Sequence, residues 1–187
     1  MQSIATLHVL YWVTFDLFIS AFNRKSGGSV LRVTNTDTQK GNNGDQIVAV
    51  YVHNEQRKFI FSLQKDYGNY WYYTHEKLTV EANTWYQVEI SRVFVNGTFW
   101  ERMFIGGEML NETWNQNYPD SFPFNDVSVY VGETFTKAIP GYVDNLKIIS
   151  GKFSLSFGRQ NQNGLCGDIS YNQEVCMFGF RIILLLE

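Results

Sequence analysis

Apolar and polar side chains alternate with a period of two along much of this chain, which is the pattern of half-buried strands. Tyr86, Val88 and Ile90 share one face of a predicted strand, and Gln87, Glu89 and Ser91 share the other. Residues 13–19 alternate in the same manner and suit an opening core strand. Phe59, Phe61 and Leu63 alternate with Ile60, Ser62 and Gln64, and a turn at residues 66–69 leads into the aromatic run 70–73, so this stretch reads as a hairpin. Short strands are predicted at 30–34 and 127–131, a near-continuous apolar strand at 47–53, and a last strand at 141–149. Asn96-Gly97 is a strong hairpin signal, because both residues tolerate positive φ in a type I′ turn, and 98–105 is the returning strand. No window sustains a helical period. Strands separated by turn signals at this spacing predict an all-β, antiparallel two-sheet sandwich.

Two polar segments interrupt the pattern. Residues 35–45 form a loop in which Asp37, Asn43 and Asp45 supply the oxygen ligands that a calcium ion takes. No glutamate closes it as an EF-hand would, and a solvated turn uses the same residue types. Calcium at this loop is the one cofactor the sequence offers. Residues 106–124 are expected to be a loop much longer than the usual roughly 4–6 residues. Its Trp114, Asn115, Asn117 and Tyr118 are candidate ligand contacts at a rim of the sandwich. On the aromatic hairpin, Trp71 and Tyr73 fall on one face and Tyr70 and Tyr72 on the other. One pair must be core; Trp71 and Tyr73 are kept as a candidate stacking platform.

Aromatic residues make up 17% of the chain and charged residues 18%, which favours pleated surfaces over solvated helices. A net charge of −3 gives no electrostatic case for nucleic acid or an anionic membrane. The 187 residues suit one domain, residues 1–149, with a C-terminal extension, 150–187. Cys166 and Cys176 suit either a local disulfide, if the protein is secreted, or unpaired structural thiols, and His8, His53 and His75 are too scattered for a zinc site. Asn96 and Asn111 each open an Asn-x-Thr sequon, so both are expected to carry glycans. Residues 4–22 are apolar but lack a basic start and contain His8 and Asp16, so they make neither a good signal peptide nor a membrane span. A secretion signal is expected to precede them. The apolar run 181–187 is too short to span a bilayer; it either packs on the sandwich or marks a truncated product.

Residues 84–92, then Val129 to Gly132, then 141–148, in that order, resemble the second half of a laminin-G-like (concanavalin A-like) β-sandwich. With residues 13–19 as opening strand, the resemblance extends over roughly residues 10 to 149. It implies an antiparallel jelly roll with Trp85, Tyr86, Val88, Ile90, Val129, Val131 and Leu146 in the core, used outside the cell to bind glycans, calcium or proteins. Tyr142 stands where laminin G domains usually carry a cysteine. The same fold hosts glycoside hydrolases, which need two carboxylates across the sugar, roughly 5–5.5 Å apart in retaining members. Their Glu-x-Asp-x-x-Glu strand motif is absent: Glu89, Glu101, Glu108 and Glu112 have no acidic residue two positions away. The expectation is a non-catalytic recognition or adhesion module for a glycan or an extracellular protein. A glycosidase-like enzyme and a purely structural matrix module are the alternatives.

Overall fold

The computed structural model describes residues 2–22, 27–35, 46–66, 69–74, 78–115, 124–132, 138–151, 153–154, 170–171 and 180–182. Among them the regular elements are all strands. One six-stranded antiparallel sheet has the order β1 (Gln2–Leu7), β10 (Phe124–Val131), β3 (Gly28–Thr34), β4 (Gln46–His53), β5 (Lys58–Asp66), β6 (Asn69–Thr74). The other has the order β14 (Phe180–Ile182), β11 (Gly141–Ser150), β2 (Tyr11–Ile19), β7 (Thr84–Val95), β8 (Thr98–Ile105), β9 (Glu108–Asn115). A short ladder pairs β12 (Phe153–Ser154) with β13 (Ser170–Tyr171). The chain changes sheet between β1, β2 and β3, between β6 and β7, and again between β9, β10 and β11. Strands from both ends of the sequence therefore lie side by side in each sheet, the interleaving of a jelly roll.

Alternation decides which face turns inward. In β2, Val13, Phe15, Leu17 and Ile19 are fully buried, while the residues between them are partly solvated. The register sets Val13 opposite Ile90, Phe15 opposite Val88 and Leu17 opposite Tyr86, so β7 turns the same face inward. Val48, Val50 and Val52 of β4 meet Leu63, Phe61 and Phe59 of β5 from the other sheet's inner face. These two faces make one continuous core. Such burial stabilises by roughly 25 cal/mol per Å² of apolar surface removed from water.

Several expectations hold at this level. The 59–73 hairpin is present as β5 and β6, and the Asn96-Gly97 turn has φ of +51° and +77°. Two are corrected. Residues 108–115 are not loop but strand β9, returned from β8 by Gly106-Gly107 with φ of +60° and +81°. Glu, Asn and Thr are tolerated there because β9 is an edge strand with water along one side. Trp85 is not core: Tyr86 faces inward, so its neighbour faces out and is 54% exposed. Tyr86, Val88, Ile90, Val129 and Leu146 are buried as expected, and Val131 packs against the core.

Candidate functional site: the outer face of the β2 sheet

Three strands that are distant in sequence bring three aromatic rings together on the solvent side of the second sheet. Tyr142 on β11 lies opposite Phe18 on β2, and Phe18 lies opposite Trp85 on β7. The Phe18 and Tyr142 rings are 5.8 Å apart at 26°, and the Phe18 and Trp85 rings 5.3 Å apart at 43°. Trp85 and Tyr142 are 54% and 40% exposed, with Phe18 half-buried between them. The neighbouring Gly141 permits this approach, since a Cβ there would run into the Phe18 carbonyl oxygen. A glycine is thus required where β11 closes on β2.

The next residues along the same face are polar. Asp144 lies opposite Asp16, and Asp16 opposite Gln87. Like charges directly across a ladder are unfavourable, and a β-bulge answers that cost. The register of β11 shifts between Asp144 and Lys147, with Asn145 at φ +52°. This bulge turns the Asn145 side chain onto the sheet, where its Nδ2 donates to Asp16 Oδ2 at 2.6 Å. The Asn145 backbone N–H donates to Asp144 Oδ1 at 2.9 Å. Bulges commonly re-aim one side chain in this way. One row further, Lys147 faces Thr14, which faces Glu89. Burial pushes the Glu89 carboxyl above its ordinary value, and a hydrogen bond from Trp12 pulls it back. The face therefore offers flat apolar rings beside carboxylates and amides, chemistry that suits a ligand with apolar patches and hydroxyl groups.

The residues proposed from the sequence are dispersed. Trp114 is 52% exposed, as expected, but stands on edge strand β9 opposite Trp100. Asn115 ends that strand opposite Phe99. The half-exposed pair Arg102 and Glu112 lies beside Trp100 and Trp114 in the same two strands. Trp71 and Tyr73 belong to the other sheet, where the register sets them opposite Leu63 and Phe61. Trp114 and the Trp71–Tyr73 pair thus stand on strands of different sheets. Asn117, Tyr118, Asp37, Asn43, Asp45, Cys166 and Cys176 lie outside the described residues. Among the described residues no group of three His, Cys, Asp or Glu side chains is placed to hold a metal. Asn96 is exposed at its turn, and Asn111 is half-buried opposite Met103.

The outer face of the first sheet is of a different kind. Arg32 sits with its guanidinium 4.9 Å from the Tyr130 ring centre, and Arg32, Ala49 and Ser62, opposite one another across three strands, are all buried. That row is closed to solvent, whereas the aromatic row on the second sheet is open. Sequence reasoning missed Phe18, Trp85, Tyr142, Asp16 and Asn145 as a group. Phe18 and Tyr142 do carry a signal, since each is an aromatic residue at the outward position of a strand, beside an inward Leu17 or Val143. Their convergence depends on the register of three strands and is not visible in one dimension.

No protein-family profile and no curated protein sequence matches the chain. Among solved structures it is similar to the heptameric SAP-like pentraxin of Limulus polyphemus, with a TM-score of 0.54 and 14% identity over 79% of this chain. The match spans 66% of the pentraxin chain, just short of two thirds. A Ruminococcus gnavus sialidase CBM40 bound to α2,6-sialyllactose gives 0.49 and 15% over 75% of this chain and 82% of its own. A human galectin-16 variant gives 0.49 and 12% over 80% and 94%. The strand order and the pentraxin superposition together make the fold a concanavalin A-like jelly roll.

Proposed function

We propose that this chain is a glycan-binding module that acts outside the cell in recognition or adhesion, without catalysis. One observation carries the reading: the open row Trp85, Phe18, Tyr142 lies beside the hydrogen-bonded Asp16–Asn145 pair on a rigid sheet. Rings of this kind stack on the C–H faces of sugars, and carboxylates and amides take up their hydroxyls. Sheet residues hold such groups in place at little entropic cost on binding. The concanavalin A-like fold and the resemblance to laminin-G-like domains support the same class of function as analogies.

The carboxylates also bear on the enzyme alternative. Glu101 is buried against Arg92 and Glu112 is paired with Arg102. Asp16 and Asp144 stand side by side on one face of a sheet. Glycoside hydrolysis needs the acids to flank the bond. Calcium at Asp37, Asn43 and Asp45 remains part of the proposal as an accessory ion.

A glycan array probed with and without calcium tests the function, alongside Trp85→Ala. Binding to at least one sugar class is expected, with Trp85→Ala weakening it at least tenfold, about 1.4 kcal/mol, while the melting temperature stays unchanged. A blank array, or full binding by Trp85→Ala, overturns the reading. Release of shortened sugar would favour the enzyme instead.

A further inference from the structure

The β7–β8 turn carries a chemistry of its own, at the opposite end of β7 from Trp85. We propose that Asn96 is a self-modifying site. In a chain without a glycan there, attack by the Gly97 backbone nitrogen exchanges the Asn96 side-chain amide for a carboxyl, and a glycan on Asn96 prevents the exchange.

The turn leaves the reacting atoms free. Val95 lies opposite Thr98, so the ladder closes outside the two turn residues. Asn96 and Gly97 are both exposed, with φ of +51° and +77°. Space around Gly97 is open, since a Cβ there would meet nothing within 4 Å. With no side chain of its own, Gly97 brings its nitrogen to Asn96 Cγ without crowding. Asn83 and Asn145 share the positive φ but not this freedom. The residue after Asn83 is the β-branched Thr84, paired with Ile19, and Leu146 follows Asn145, whose Nδ2 is bonded to Asp16. Two further Asn-Gly pairs, 43–44 and 163–164, lie outside the described residues.

The step consumes only water. The Gly97 nitrogen gives up its proton and bonds to Asn96 Cγ, closing a cyclic imide, while the Cγ–Nδ2 bond breaks and Nδ2 leaves as ammonia. Water then opens the imide. Attack at Cγ gives aspartate, and attack at the backbone carbonyl gives isoaspartate, in which the main chain runs through Cβ and Cγ. Nδ2 is also the atom that accepts a glycan in an Asn-x-Thr sequon. A sugar there makes the leaving group a bulky glycosylamine and shields Cγ, so glycosylation and conversion exclude each other at one nitrogen. This protective half rests on the secreted reading of the chain. A converted turn has lost its sequon, and the isoaspartyl form lengthens the link that sets Phe94 opposite Phe99, rings 4.8 Å apart.

Tryptic mapping of the full chain tests this. Cleavage after Arg92 and Arg102 isolates residues 93–102, where Asn96 is the single asparagine. Residues 103–137, in which Asn111, Asn115, Asn117 and Asn125 all precede residues other than glycine, are the internal control. Protein made in bacteria and stored at neutral pH should convert at Asn96 at least about tenfold faster than the control. Both aspartyl and isoaspartyl forms should appear, and the rate should rise with pH because the attacking nitrogen must shed its proton. From a eukaryotic secretory host, the parent chain should keep Asn96 unconverted, read as the intact glycopeptide. Thr98→Ala from that host retains Asn96-Gly97 without the sequon and should convert at the bacterial rate.

Conversion no faster than the control, or an aspartyl form with no isoaspartyl one, overturns the proposal. Conversion of the glycan-bearing chain as fast as Thr98→Ala, or no glycan on Asn96, overturns the protection. None of these results bears on the aromatic row, whose sugar binding is read on the array.

Discussion

Glu89 shows how a single side chain connects the outer face to stability. Its carboxyl is half-buried beside Trp12, and burial holds it above its ordinary value against the pull of the indole hydrogen bond. The folded chain therefore keeps this proton at a pH where the unfolded chain has lost it. Stability from this group is present below the unfolded value and is lost as pH rises through the folded one. The slope is shallow, because solvent still reaches the group. Glu89→Gln keeps the shape and removes the titration. Denaturant midpoints measured between about pH 4 and 7 should fall less steeply with rising pH in the variant than in the parent chain. A steeper fall would mean that the Trp12 hydrogen bond outweighs burial.

At the scale of elements, β11 is where fold and site depend on each other. Gly141 lets the strand meet β2, Tyr142 adds the outer ring, and the bulge at Asn145 sets the polar border. Gly141→Ala should cost at least about 1–3 kcal/mol in a denaturant titration, as overpacking does. It should also weaken sugar binding by displacing Tyr142 from Phe18, a loss that Trp114→Ala would not reproduce. Unchanged stability would show that β11 can shift without consequence.

Most elements were legible in the sequence because period-two burial and Asn96-Gly97 are local signals. Residues 98–105 coincide with β8, and 30–34 fall within β3. The residues of β9 read as loop because Glu108, Asn111, Glu112 and Asn115 are poor strand formers, although Gly106-Gly107 is itself a hairpin signal. Family resemblance places Trp85 in the core, the alternation of its own strand places it outside, and the alternation prevails. The aromatic row was illegible for another reason: positions 18, 85 and 142 become neighbours only through pairing of β2 with both β7 and β11.

For the whole molecule, secretion is the expectation with the most direct readout. Asn96 is exposed at positive φ on a turn that leads away from the aromatic row, so a glycan there meets water and leaves the binding face open. Expression in a eukaryotic secretory host should give a glycosidase-sensitive mass increase that Asn96→Gln reduces. Asn111, half-buried beside β8, should be occupied less completely. A chain without glycan at Asn96 would remove this support for an extracellular role. No helix among the described residues is long and apolar enough to cross a membrane.

The charge pair between the sheets bears on how the fold assembles. Arg92 donates to Glu101 Oε1 through Nε at 2.9 Å and Nη2 at 2.5 Å, with its guanidinium 4.9 Å from the Tyr11 ring centre. A buried pair of this kind adds little net strength compared with apolar residues of equal volume. Its value lies in proofreading. The β7–β8–β9 meander has two tight turns and local contacts, so it can form early, before the rest of the sandwich is there to correct it. A one-residue slip between β7 and β8 would set Arg92 opposite Arg102 or Trp100 instead of Glu101, stranding a charge that must later be buried. Replacing Arg92 and Glu101 together with Met should therefore change equilibrium stability little, yet turn single-phase refolding into several phases, as mispaired hairpins that once dissolved at once begin to persist.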